Sequence, residues 1–216
     1  MTISATRQRG LLVSLDGPGG SGKSTVTALV TKLLTERGYQ AHATTQPSHN
    51  QLGGIARTMT DTYKGESLTC LVAADRYHHQ ANEIRPRRAA GHIVICDRYV
   101  PSSYVLQRMD GVPLAFIEAV NALVDPPDLA VILTANPKIT SKRIAKRGAH
   151  SRFESGLHTS TTEERLYRET VEHLDKYGYP FVVLDSTHAK PDVIATTIVA
   201  RIEQLLSSDE TEVAAE

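Results

Sequence analysis

Apolar and β-branched residues gather in five short runs, at 11–16, 40–45, 92–97, 128–134 and 180–185, each bounded by Gly, Pro or Asp. Runs of that length and bias predict buried strands. Between them the apolar positions recur at helical spacing. Val26, Leu29, Val30, Leu33 and Leu34 share one face of a helix over 23–37, which stops before Gly38. The same reading places helices at about 51–62, at 68–89, at about 101–123 with a break near Gly111, at 137–147 ending at Gly148, at about 161–177, and at 190–207. Alternation of this kind predicts an α/β protein of three layers, a five-stranded parallel sheet with helices on both faces. The small, acidic stretch 207–216 predicts a disordered tail, leaving 1–206 as a single domain.

In such sheets ligands bind beyond the carboxyl ends of the strands, so the residues following each strand carry the chemistry. The first strand runs into Gly17-Pro18-Gly19-Gly20-Ser21-Gly22-Lys23-Ser24, which fits G-x-x-x-x-G-K-[ST] between a strand and a helix. This is a phosphate-binding loop. Its glycines let backbone N–H groups turn inward around an anion, Lys23 reaches the β- and γ-phosphates, and the Ser24 hydroxyl ligates Mg²⁺. The strand at 92–97 closes on Asp97-Arg98-Tyr99, a carboxylate suited to Mg²⁺ and a guanidinium suited to a phosphate. Asp16, just before the loop, is as well suited to stabilising the turn as to catalysis. Lys146-Arg147-Gly148-Ala149-His150-Ser151-Arg152 follows a helix with basic and small residues and looks like a lid over about 147–160. The pair His78-His79 reads as helix surface.

Composition narrows the classes. The 216 residues are 40% hydrophobic, enough for one domain with a sizeable core, and 24 basic residues balance 24 acidic ones. Nothing in that balance calls for nucleic acid or a membrane surface. Cys70 and Cys96 sit in apolar contexts and predict buried free thiols of a cytoplasmic protein. No early apolar stretch approaches a signal peptide, and no apolar run reaches spanning length.

Taken in order, these segments resemble the thymidylate kinase family of P-loop nucleoside monophosphate kinases, from about Leu11 to about Leu205. Leu15-Asp16-Gly17 through Lys23-Ser24-Thr25 is similar to the family's opening strand and loop. Thr44-Thr45-Gln46-Pro47 through Leu52, Gly53 and Arg57 is similar to T-R-E-P-G-G-x-x-L-G-x-x-[IL]-R. Leu71-Val72-Ala73-Ala74-Asp75-Arg76 resembles the base-recognition helix L-L-F-x-A-x-R. Asp97-Arg98-Tyr99 with Ser102 and Gln107 resembles D-R-[YH]-x-x-S-x-x-A-[YF]-Q, Pro127-Asp128-Leu129 the strand P-D-L, and Ser151-Arg152-Phe153-Glu154 the lid D-R-[IF]-E.

The resemblance implies a P-loop fold, ATP and Mg²⁺ as cofactors, a small-molecule phosphoryl acceptor and a homodimer. It implies that Gly17, Gly19, Gly20, Ser21, Gly22, Lys23, Ser24, Thr25 and Arg143 hold ATP, with adenine between Arg143 and Asp185-Ser186-Thr187. It assigns Mg²⁺ to Ser24 and Asp97, catalysis to Lys23, Asp97, Arg98, Arg147 and Arg152, and the acceptor to Asp16, Gln46, Leu52, Val72, Arg76, Arg98, Ser102 and Gln107. Departures fall on the acceptor side. The family's Arg and Glu of T-R-E-P are Thr45 and Gln46, its loop Asp is Gly19, and the aromatic that stacks on thymine is Val72. These predict weak use of dTMP unless His49, Asn50 or Tyr104 compensates. A hydroxyl acceptor on the same scaffold is the alternative, though it needs a carboxylate base within reach. A nucleotide-binding switch stands third.

Overall fold

The computed structural model describes residues 9–213. Among them five strands, β1 (Leu11–Asp16), β2 (Ala41–Thr45), β3 (Ile93–Asp97), β4 (Leu129–Thr134) and β5 (Phe181–Asp185), form one parallel sheet in the order β2-β3-β1-β4-β5. Alternation along each strand decides the layers, because successive side chains leave opposite faces. Leu11, Val13 and Leu15 of β1, Ile93 and Ile95 of β3, and Leu129, Val131 and Leu133 of β4 pack with α1 (Lys23–Glu36) through Val26, Val30 and Leu34. Ile194, Ile198 and Ile202 of the C-terminal helix complete that layer. Leu12, Val94 and Cys96 turn the other way, toward Ile84, Tyr99 and Val100. Each such side chain, taken fully out of water, contributes about 1.5–3 kcal/mol.

The remaining helices are α2 (Gln51–Thr58), α3 (Gly65–His79), α4 (Arg85–Ala89), α5 (Val100–Met109), α6 (Leu114–Asn121), α7 (Pro137–Arg147), α8 (Gly156–Lys176) and α9 (Pro191–Val213). The single helix expected over 68–89 is three pieces, α3, a wide π-type turn at Gln80–Ile84, and α4. The widening immediately precedes Pro86, which has no N–H with which to close a normal four-residue step. The break near Gly111 separates α5 from α6. The helix expected at 190–207 continues to Val213, so the disordered tail expected from 207 is helical over that stretch; residues 214–216 lie outside the described residues. Cys70 is exposed rather than buried, while Cys96 is buried and burial raises its thiol pKa well above the ordinary range. His79 is not helix surface. It is 2% exposed, with Nε2 2.8 Å from Thr44 Oγ1 of β2.

Register brings the strand ends level. Asp97 pairs with Leu15 on one side and Thr45 on the other, and the Arg98 and Gln46 N–H groups donate to the Leu15 and Asp97 carbonyls. Asp16, Gln46 and Arg98, 82 residues apart in sequence at the extremes, therefore share one edge of the sheet. Among the described residues no helix is long and apolar enough to cross a membrane.

Candidate active site

The phosphate-binding loop forms because side chains are excluded from it. A Cβ on Gly17, where φ is 147°, would stand 2.3 Å from the Leu133 carbonyl oxygen, and Gly22 turns the chain into α1 at φ 94°. Lys23, the first residue of α1, is 6% exposed, and its Nζ donates to the Gly17 and Pro18 carbonyls at 2.7 and 2.9 Å. Burial, reinforced by the Arg98 charge, pushes its pKa down to about 8 against the pull of Asp97, Glu163 and Asp16. The Ser24 hydroxyl donates to Asp97 Oδ2 at 2.5 Å. Two hard oxygen donors held side by side at the mouth of a phosphate loop fit Mg²⁺.

Asp16 does not line the cleft. It is fully buried and accepts from the Tyr99 N–H (2.9 Å), the Ser102 N–H (3.0 Å) and hydroxyl (2.6 Å), and the Ser14 hydroxyl (2.8 Å). Its charge sits at the N-terminus of α5, where the unpaired N–H groups and the helix dipole favour an anion. The substrate-binding role expected for it is corrected to a structural one. Asp16→Ala would leave those donors buried without an acceptor, so a loss of about 3–5 kcal/mol is expected in denaturant unfolding.

Asp16 thereby anchors Arg98, which among the described residues is the one non-glycine in left-handed backbone, at φ 69°. That conformation costs about 1–2 kcal/mol and persists where the surroundings over-determine it. The Arg98 side chain lies in a cleft of about 410 Å³ running from the phosphate loop, where Gly19, Gly20, Gly22, Lys23, Ser24 and Thr25 line it, to an apolar end. Gly17 lies behind this wall, as does Ser21, 2% exposed.

At the apolar end Val72 packs with Ala56, Leu68 and Phe153, the last from the lid. Gln46, Arg76, Ser102 and Gln107 supply the polar wall. Arg76 is 2% exposed and engaged on all sides: Nε donates to Gln46 Oε1 at 2.7 Å, Nη2 to Ser103 Oγ at 2.8 Å, and Nη1 to Asn121 Oδ1. Gln107 Oε1 is buried with no hydrogen-bond partner, an acceptor waiting for a donor. Leu52 lines no part of the cleft, contrary to expectation. His49 and Asn50 border a second cavity, and Tyr104 packs among the helices. None of the three substitutes for the missing aromatic or cation.

The lid divides the two arginines assigned to catalysis. Arg147 lines the cleft, held by Glu154 Oε1 at 2.5 Å, and Glu154 in turn accepts from the His150 N–H. Arg152 does not. It makes a paired contact with the Asp110 carboxylate at 2.5 Å, donates to the Thr60 carbonyl at 2.8 Å, and lies 4.1 Å over the Phe153 ring. The structure does not bring it to the cleft: a bidentate ion pair with a carboxylate only 6% exposed holds the guanidinium at the lid turn. Arg143 lies outside the cleft, its guanidinium on the carbonyls of Gly20, Ser186 and Thr187.

With this geometry in view, comparison with known proteins is decisive. The sequence profile described as thymidylate kinase matches residues 15–196. The chain belongs to the thymidylate kinase family. A probable thymidylate kinase of Pyrobaculum aerophilum is 34% identical over 199 residues, covering 90% of this chain and 97% of that protein. One of Pyrobaculum calidifontis is 34% identical over 202 residues, 92% and 98% of the two chains. A thymidylate kinase of Caldicellulosiruptor saccharolyticus is 36% identical over 155 residues, 68% and 75% respectively. The protein is therefore a nucleotide kinase, a phosphotransferase, and the hydroxyl-acceptor and switch alternatives are not favoured.

Among the residues of this thymidylate kinase family member's cleft that the sequence reading does not assign to its site are Arg57, Phe153 and Glu163. Arg57 stands at the end of the Thr44–Arg57 segment, and Phe153 within the lid motif, so the signal for both was their place in a motif. Glu163 had none. It comes from α8, 2% exposed, and its Oε2 accepts from the Gly19 N–H at 2.9 Å across 144 residues of sequence. Burial raises its pKa against the opposing pull of Arg98 and Lys23.

Proposed function

We propose that the protein transfers the γ-phosphoryl of ATP to the phosphate of dTMP or a closely similar nucleoside monophosphate. One observation carries this reading: a single cleft is lined at once by the phosphate loop, by Arg98 and Arg57, and by an apolar group of Val72, Leu68 and Phe153 with Arg76 and Gln107 on its polar wall. The names of the relatives support dTMP as the acceptor.

In this mechanism the loop N–H groups and Lys23 hold the donor's β- and γ-phosphates, with adenine beside Arg143 and the Ser186 and Thr187 carbonyls. Ser24 and Asp97 would hold Mg²⁺, which when bound would supply further positive charge against the donor phosphates. Arg98 and Arg57 hold the acceptor phosphate, while Val72, Leu68 and Phe153 enclose the base and Arg76 and Gln107 face its polar edge. The acceptor oxygen is already anionic, so positioning and charge neutralisation suffice and no general base is required. Arg147 meets the charge that develops on the migrating phosphoryl. The same reading includes a homodimer, to be checked by sedimentation.

A panel of dTMP, dUMP, other monophosphates and free nucleosides, assayed for ADP release with mass spectrometry of the product, tests the proposal. A diphosphate product from dTMP supports it; phosphorylation of free nucleosides alone would overturn it. The lid gives a second test. Arg147→Ala is expected to lower kcat by about 10²-fold with little change in the KM for ATP, since its charge acts in the transition state. Arg152→Ala is expected to act more weakly on kcat and to increase proteolytic cleavage of the lid turn, because it loses an anchor instead. Equal kcat losses in both variants would restore Arg152 to the catalytic set.

A further inference from the structure

We propose that His79 is a positioning residue for the acceptor pocket: as a neutral imidazole it fixes which way the Gln46 amide points, and through that amide it fixes the Arg76 guanidinium. The inference rests on the reading of Arg76 and its cleft as the acceptor site.

Arginine has no acceptor, so the Gln46 atom facing Arg76 Nε at 2.7 Å must be the carbonyl oxygen. The amide NH₂ then faces His79 Nδ1 at 3.2 Å, and Nδ1 must offer a lone pair. The imidazole proton therefore resides on Nε2, which lies 2.8 Å from Thr44 Oγ1 and 3.4 Å from Glu83 Oε2. Glu83 is held in turn by His42 Nε2 at 2.8 Å. The wide turn at Gln80–Ile84 carries Glu83, and β2 carries His42 and Thr44. The chain of contacts His42, Glu83, His79, Gln46, Arg76 thus runs from a second cavity of about 710 Å³, bordered by His42, Thr44 and Glu83, to the acceptor cleft.

The charged and titratable groups facing His79 are Glu83 and Asp75 from its own helical segment and His42 from β2. Asp75 is occupied by the Ser48 N–H and hydroxyl, at 2.7 and 2.6 Å. Burial lowers the His79 pKa below the ordinary histidine value, opposed by Glu83 and Asp75, so the neutral form holds at neutral pH. Acidification puts the second proton on Nδ1, against the Gln46 NH₂. If the amide stays, two donors face each other; if it flips, its NH₂ faces the Arg76 Nε–H instead. Either way a buried donor loses its acceptor and Arg76 loses its fixed position. Acceptor affinity falls as pH drops through the His79 pKa.

The test has two arms. Nitrogen-15 NMR of the histidine-labelled protein, free of nucleotide, should find the His79 ring as the Nε2–H tautomer at neutral pH. It should also find a slowly exchanging Arg76 Nε–H that becomes fast on acidification. In the second arm dTMP dissociation constants are measured for the wild type and Gln46→Glu at about pH 7.5 and at a pH below the His79 titration that the NMR arm locates. A carboxylate at position 46 accepts from both Arg76 and a protonated His79, so it removes the conflict. The acceptor phosphate titrates with both proteins and cancels in the comparison. The wild type should lose about tenfold more affinity than the variant over this range. An Nδ1–H tautomer at neutral pH, or parallel pH dependence in the two proteins, would overturn the inference. If dTMP binds at no pH, the acceptor assignment fails, and the tautomer and Arg76 exchange still decide the role of His79. The first arm needs no variant and stands if Gln46→Glu does not fold.

Discussion

Lys23→Ala is expected to remove phosphoryl transfer, with kcat reduced by about 10³-fold and the fold intact. In the free protein the Lys23 ammonium is buried and touches only two backbone carbonyls among its hydrogen-bond acceptors, those of Gly17 and Pro18. Its lowered pKa states the same fact energetically: the site tolerates the charge rather than being stabilised by it. Stability therefore should change little, whereas the cation that accompanies the migrating phosphoryl is lost. Circular dichroism melting would locate the fold, and single-turnover transfer from ATP the chemistry. A variant that melts normally and still turns over at near wild-type rates would sink the assignment of the loop.

Arg57→Ala is expected to cut kcat/KM for dTMP by about 10- to 10²-fold, the worth of a hydrogen bond to a charged group, while leaving the KM for ATP nearly unchanged. The sequence alone directs attention to Thr45, where a family arginine is absent. Thr45 and Arg57 both line the cleft, so α2 supplies a cation to the same cavity. Arg57 Nη2 also donates to the Pro47 carbonyl, two residues beyond the end of β2. Thr45→Arg placed in the Arg57→Ala background is accordingly expected to recover part of the lost dTMP activity. An unchanged kcat/KM in Arg57→Ala, measured by coupled ADP assay, would remove Arg57 from the acceptor site. The aromatic story is parallel. Val72 lacks a ring, but Phe153 packs on it from the lid, so Val72→Phe would crowd an occupied space rather than fill an empty one.

Short-range physics determined much of this protein directly from its sequence. Continuous apolar runs in β1, β3 and β4, buried on both faces, and helical spacing in α1 are local patterns, so the parallel sheet and its two helical layers were legible. The phosphate loop was legible for the same reason: its conformation is set locally by glycines, and Lys23 and Ser24 follow from the turn into α1. Tertiary structure decided whatever depended on two distant segments meeting. Asp16 and Arg152 carry the right charge for catalysis, but one is consumed by the N-terminus of α5 and the other by Asp110, partners 83 and 42 residues away. Glu163 reaches Gly19 only because α8 packs across the loop, and His79 reaches Gln46 only because α3 brings it to β2. A carboxylate or an imidazole has no fixed role until its hydrogen-bond partners are known, and those partners are set by packing rather than by neighbours in the chain.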